Sequence, residues 1–308
     1  MPELKNEFSW STSRASMFSA CPRQYYYHYY GSWGGWSPDA DPKARTLYIL
    51  KKLMTRQQWI GATVHNCLRW MLTTLRDEGA LPPEEVTLRH LGRRLEKDYQ
   101  ESGEGLYWDE PKKYVGLIEH EYEELDVDES RWRSLMQRAM EMVGRLYRSD
   151  ILRELTSLPR SAWLDIEKLA SFTVDDVKVY VQIDCAHRRS DDIRVIDWKT
   201  GRSAAEETRS QLTLYAWFAS QNWNKTPQHI EAGEYNLRDG AWQSFRFEVG
   251  DFEAQRARIL ESAASMRALL DDAERNLASE PKFPLAETEE PCRACPFRRV
   301  CPRFAEST

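Results

Sequence analysis

The sequence is short of several things, and each shortage removes a class of protein. No apolar run approaches the roughly 18 residues that span a bilayer, so a transmembrane helix is excluded. The opening residues, MPELKNEFSW, lack the charged-then-apolar pattern of a secretory signal. Together these predict a cytoplasmic protein with no membrane partner. No G-x-x-x-x-G-K-[ST] phosphate loop is present, so the chain carries no helicase motor of its own. His120 to Glu124 reads HEYEE rather than HExxH, which removes a zinc protease. No period of 20 to 50 residues recurs, so a solenoid is unsupported. Basic residues are outnumbered by acidic ones, 43 to 49, for a net charge of -6. That balance argues against a general nucleic-acid coat protein and leaves local phosphate contacts open.

What is present is enough to build a core. The 308 residues are 41% hydrophobic and 30% charged, which is the composition of a globular chain. Ser13 reads as a helix cap before Met17 and Phe18, and the Gly- and Pro-rich residues 31–42 read as a loop. Apolar residues at helical spacing predict a helix over about 44–78, and further helices over 84–101 and 130–155. The character then changes. Residues 163–174, 177–184 and 193–199 are rich in β-branched residues, and Val177, Val179, Val181 and Ile183 alternate strictly, as in a strand. A helix over 204–220, strands over 229–237 and 241–248, and a helix over 251–278 complete the pattern. The order predicts an α/β fold, a mixed sheet flanked by helices.

Two strands and a turn carry the chemistry. A turn centred on Ser190-Asp191 sets Asp184 opposite Asp197, with Cβ atoms roughly 4.5 to 5.5 Å apart. Like charges so placed destabilise a sheet unless something compensates. A hard divalent cation such as Mg²⁺, which takes carboxylate oxygens, is one answer; a surface salt-bridge cluster is the other. Lys199 follows Asp197 by two residues, so it shares its face. A cation there can steady an attacking water or the charge growing on a phosphate. Gln211 and Tyr215 are four apart on the next helix, on one face. His65 lies on a mainly apolar helix, where a core role is the commoner one, and Glu167 sits in an apolar strand, where an unpaired carboxylate is costly.

Taken in order, Gly61-x-x-x-His65, Glu167, Asp184, Asp197-x-Lys199-Thr-Gly and Gln211-x-x-x-Tyr215 resemble the motifs of the RecB-like branch of the PD-(D/E)XK nuclease superfamily. The N-terminal Ser13-x-x-x-x-Phe18-x-x-Cys21-Pro22-x-x-Tyr25 and the tail Cys292-x-x-Cys295-Pro296-x-x-x-x-Cys301 resemble its iron-sulfur subgroup, which includes the nuclease part of AddB and the Cas-type exonucleases of CRISPR adaptation. One departure is that Ile183, not proline, precedes Asp184. The resemblance implies a restriction-endonuclease-like sheet core flanked by helices, in one nuclease domain over 1–308. Within it, 80–160 would be a helical insert, 161–250 the catalytic sheet core, and 280–308 with 11–30 a cluster region joining the two ends. It implies a metal-dependent deoxyribonuclease, an exonuclease on single-stranded DNA or DNA ends, serving repair, CRISPR adaptation or phage defence, with a helicase or other protein as partner. His65, Asp184, Asp197 and the Trp198 carbonyl would bind Mg²⁺ or Mn²⁺. Lys199 would activate the water, Gln211 and Tyr215 would hold the substrate or the lysine, and Glu167 would add an outer contact. The competing expectation is a non-catalytic nucleic-acid-binding or assembly subunit that keeps the fold.

The six cysteines divide in the same way. Cys67 and Cys185 stand in apolar surroundings and read as core. Cys21, Cys292, Cys295 and Cys301 are the remaining four; in a cytoplasmic chain they read as a metal or cluster site rather than disulfides. Their spacing alone fits a tetrahedral Zn²⁺ or a [4Fe-4S] cluster, and the resemblance points to the cluster.

Overall fold

The structure is a computed structural model, and it describes residues 5–122, 125, 127–201 and 204–304. Glu123 and Glu124 of the HEYEE run lie outside the described residues.

The chain begins with α1 (Thr12–Ala20) and α2 (Pro22–Tyr26). Ser11, not Ser13, caps α1, its side chain accepting from the Arg14 N–H. The single helix expected over 44–78 is two. Asp41 caps α3 (Pro42–Leu50), and a short strand β1 (Leu53–Met54) follows. Thr55 and Gln58 then form a reciprocal capping box that starts α4 (Arg56–Glu78), which stops at Gly79 in the left-handed conformation. β1 pairs in parallel with β2 (Gly116–Leu117), so the interruption is used. α5 (Glu84–Gly103) and α6 (Ile118–Glu121) lead to α7 (Glu129–Tyr147) and α8 (Asp150–Thr156), which Ser149 separates by capping the second.

The sheet comes next: β3 (Trp163–Val174), β4 (Val177–Arg189), β5 (Asp192–Lys199), β6 (Ile230–Asn236) and β7 (Trp242–Phe245), adjacent in that order. Every neighbouring pair is antiparallel except β5 with β6, which are parallel and joined through α9 (Ala205–Trp223). α10 (Val249–Arg267) ends three residues before Leu270, well short of 278. Beyond it Asp272 and Leu277 pair across a tight turn held by Asn276 at positive φ. No helix among the described residues is long and apolar enough to cross a membrane.

Each sheet face has its own core. Trp59, Val64, Leu68 and Met71 of α4 pack with α5, α7 and α8 against Ile166, Cys185, Ile196 and Trp198. Val177, Val179, Val181 and Ile193 face Leu212, Phe218 and Ile259 of α9 and α10, with Trp10 and Tyr25 from the N-terminal segment. The result is the expected α/β fold, a five-stranded mixed sheet between helical layers. Cys67 and Cys185 are both buried.

Gly233 on β6 packs beneath Trp242, whose ring atoms would lie 2.6 Å from a Cβ placed there, with the Gln243 carbonyl at 2.7 Å. Because backbone as well as side chain is in the way, Gly233→Ala is expected to destabilise the fold by about 1 to 3 kcal/mol, read as a lower urea midpoint with an unchanged slope.

Candidate active site

The two longest strands change face at the same place. On β4, Val179, Val181 and Ile183 point to the α9 side, yet Cys185 points to the α4 side and Ala186 back to α9. On β3, Ile166 points to α4, whereas Ala170 and Phe172 point to α9. Between them lie Asp184 and Glu167. The ladder pairs Ile166 with Cys185 and Lys168 with Ile183, and omits the two acids. Glu167 has φ 52°, the left-handed region that a β-strand residue rarely occupies.

β4 and β5 have the register the turn predicts, with Cys185 opposite Ile196 and Arg189 opposite Asp192. Pairing stops at Cys185–Ile196, so Asp184 and Asp197 are not the ladder partners expected from the sequence. The strands part there, β5 staying with β6. The Asp184 carboxylate spans the gap, its Oδ2 accepting the Trp198 N–H at 2.7 Å.

Two side-chain groups meet at this gap. The first is His65, Glu167 and Asp184, whose ligand atoms all lie within 4.8 Å of one another. His65 reaches it from α4. Its Nδ1 lies 2.9 Å from Glu167 Oε1 and 3.5 Å from Asp184 Oδ1, and its Nε2 lies 2.9 Å from the Trp198 carbonyl oxygen. A Cβ at Gly61, one turn earlier, would sit 3.3 Å from Thr200 Oγ1, so the glycine lets α4 lie close on the segment after β5. The second group is on the α9 side. Lys199 Nζ lies 2.7 Å from Asp197 Oδ2 and donates to Gln211 Oε1 at 2.9 Å. The Gln211 amide in turn donates to Asp197 Oδ1 at 3.1 Å and to Tyr215 Oη at 2.7 Å. Trp198, between Asp197 and Lys199, joins the groups through its backbone.

The structure thus brings His65, Glu167, Asp184 and the Trp198 carbonyl into one set. It brings Asp197, Lys199, Gln211 and Tyr215 into another beside it. Gln182 was not singled out from the sequence. Its amide donates to Glu167 Oε2 at 2.7 Å. It precedes Asp184 by two residues, and strand alternation was the available signal.

The charges are strongly coupled. Burial alone would lower the His65 pKa, but Asp184 and Glu167 outweigh it and push it up to about 11. The imidazole is therefore a cation when only protein surrounds it. This pair stabilises the fold below the ordinary histidine pKa, and that contribution is lost as pH rises through 11. Burial first, and then the Asp184 charge, raise Asp197 to about 7 despite Lys199. Burial and the same two aspartates hold the Tyr215 hydroxyl neutral.

The family model of the PD-(D/E)XK nuclease superfamily matches residues 9–302. The chain belongs to that superfamily. Membership implies a nuclease, with DNA as substrate, and enzymes of this superfamily generally use divalent metal ions. No curated protein matches the sequence. Among solved structures, one described as the crystal structure of SSO0001 matches at 18% identity and a TM-score of 0.31, covering 61% of this chain and 79% of its own. At that TM-score the likeness carries no argument. In this PD-(D/E)XK protein the fit to a divalent cation is chemical. Three oxygen and nitrogen donors converge, and buried carboxylates repel one another without a compensating charge.

The four remaining cysteines converge as well. Cys21, at the junction of α1 and α2, lines one small cavity with Cys292, Cys295 and Cys301, between Tyr27, Phe297 and Phe304. The Gln24 N–H donates to Cys21 Sγ at 3.4 Å and Arg303 Nη1 to Cys292 Sγ at 3.6 Å. Burial, with the other three sulfurs adding to it, pushes the Cys295 thiol up to about 12. Among the described residues, His65, Glu167 and Asp184 are the group that closes to within 4.8 Å; no three of these sulfurs do.

A metal ligand must shed its proton. Mn²⁺ affinity, measured by calorimetry in buffers of different ionisation enthalpy, is expected to rise about tenfold per pH unit between pH 6 and 8 for each proton displaced. A pH-independent affinity with no proton release would remove His65 from the ligand set.

Proposed function

We propose that this protein is a metal-dependent deoxyribonuclease of the RecB-like, iron-sulfur branch of its superfamily, acting as an exonuclease on single-stranded DNA or DNA ends. The reading is of one nuclease domain over 1–308, with 80–160 as a helical insert. The observation that carries it is the meeting of a ligand set and a lysine network at one gap in the sheet. A salt-bridge cluster on an ordinary hairpin needs neither the left-handed Glu167 nor the broken ladder.

His65, Glu167, Asp184, Asp197 and the Trp198 carbonyl would hold Mg²⁺ or Mn²⁺. When bound, such an ion supplies Lewis acidity and lowers the pKa of water. The chain does the rest. Gln211 is fixed by Tyr215 and Asp197, so its carbonyl faces Lys199 and holds the ammonium in place. Lys199 thereby keeps positive charge where an attacking water and the growing phosphate charge would meet. Gln182 braces Glu167 from behind. Without a phosphate loop of its own, the enzyme depends on free ends or on a partner helicase to open duplex.

The four cysteines are assigned to a [4Fe-4S] cluster. Their convergence on one cavity supports a single four-thiolate centre, the resemblance favours the cluster, and a tetrahedral Zn²⁺ is the alternative.

Anaerobically purified protein with Mn²⁺ should shorten end-labelled single-stranded DNA. Lys199→Ala should lose at least about a hundredfold in rate while still binding the strand. Equal rates for the two would end this assignment of Lys199. Separately, Cys295→Ala is expected to lose visible absorbance, iron and solubility together; a colourless, soluble and fully active variant would count against the cluster.

A further inference from the structure

The helices over residues 80–160 take no part in the site, yet α5 gathers Arg89, Arg93, Arg94 and Lys97 around one recess next to α4. A groove runs between α4 and α5. Ala62, Asn66 and Arg69 line it from α4, and His90, Arg94 and the buried Asp98 that Arg94 pairs with line it from α5. It continues into a recess bounded by Trp70, Arg89, Arg93 and Lys97, with no carboxylate among its lining residues. The two parts have volumes of about 410 and 380 Å³ and share His90 and Arg94. Among the described residues, Arg93 has no ion pair, and Arg69 bonds Asn66 rather than an acid. Arg89, Arg94 and Lys97 pair along their own helix, but their side chains stay 54%, 48% and 62% exposed. The Trp70 and His90 rings stack at 4.6 Å.

The groove lies along the helix that carries His65. Ala62, Asn66 and Arg69 flank His65 on α4, and Arg69 stands one turn beyond it, about 6 Å along the axis. The protein as a whole carries -6, so this potential is local.

We propose that this groove binds the sugar-phosphate backbone of the DNA strand engaged at the site, on the stretch leading away from the phosphate to be cut; it rests on the nuclease reading above. Guanidinium and ammonium groups pair with successive phosphates, and the Trp70–His90 stack offers a planar surface to a base. A nucleic-acid strand suits the groove better than an acidic peptide, because three of its lining residues neighbour His65 of the proposed phosphodiester site on α4.

The test is a triple variant, Arg69→Gln, Arg93→Gln and Lys97→Gln, none of which belongs to the ligand set or the Lys199 network. The control is Arg131→Gln, Arg133→Gln and Arg258→Gln, which removes the same charge from exposed positions elsewhere. Binding of a fluorescein-labelled single-stranded oligonucleotide is read by anisotropy across a salt series, without divalent cation. The groove variant is expected to bind at least about tenfold more weakly, and its slope of log affinity on log salt should flatten by about 2, at roughly 0.7 per lost phosphate contact. The control should match the wild type. Unchanged affinity and slope in the groove variant, or an equal loss in the control, would overturn the proposal. Should the triple variant not fold, Arg93→Gln alone serves, with a slope change of about 0.7 expected and none overturning it. The two readings fail separately. A wild type that binds through the groove yet never cuts with Mn²⁺ would sink the nuclease reading alone. A wild type that cuts, with a groove variant that binds as well, would sink the groove alone.

Discussion

The site depends on a reversal of strand alternation shared by β3 and β4. Had both strands kept their period of two, Glu167 and Asp184 would still neighbour each other, but Ile166 and Cys185 would leave the core on the α4 side. The reversal keeps those apolar residues buried and still turns both acids toward His65. It requires one residue in the left-handed region, and Glu167 takes it. Backbone strain of this kind amounts to about 1 to 3 kcal/mol and persists only where the surroundings over-determine it. Here the surroundings are the His65 and Gln182 hydrogen bonds at the carboxylate and the ladder pairs on either side.

The parting of β4 and β5 follows from the same place. A ladder that continued past Cys185 and Ile196 would set two buried aspartates face to face, at close range and in low dielectric. Instead Asp184 becomes the acceptor that the Trp198 N–H lacks, and Asp197 turns to Lys199 and Gln211. Each acid has a cationic neighbour, and Glu167 shares His65 with Asp184. Burial, and then the Asp184 charge, still hold the Asp197 carboxyl above its ordinary range despite Lys199. A centre left short of positive charge in this way is prepared to receive a cation.

Much of this could be read before any coordinates. The hairpin register followed from the turn, because a two-residue turn and an alternating strand leave little choice. The ordered polar residues at regular spacing marked the strands and helix that frame the gap. The misses have physical causes. The break between α3 and α4 depends on β2, more than sixty residues away, and no local propensity announces a two-residue parallel pairing. The α7–α8 division turns on Ser149, one capping side chain in a run that is otherwise helical. Glu167 at positive φ was not foreseeable, since it is the tertiary demand of two cores that imposes it. Gln182 looked like an ordinary solvent-facing strand residue because its partner was not yet placed.

The ends of the chain hold one another. Arg23 donates to the Phe283 carbonyl and pairs with Glu280, which also takes Tyr27 and Lys43. Contacts across more than two hundred residues are slow to form, because the intervening chain must first be ordered. During synthesis the tyrosine-rich segment around residues 25 to 30 therefore waits, apolar and uncovered, until the stretch near residue 283 has emerged. Over that interval the exposed segment is the part of the chain most open to association with other chains.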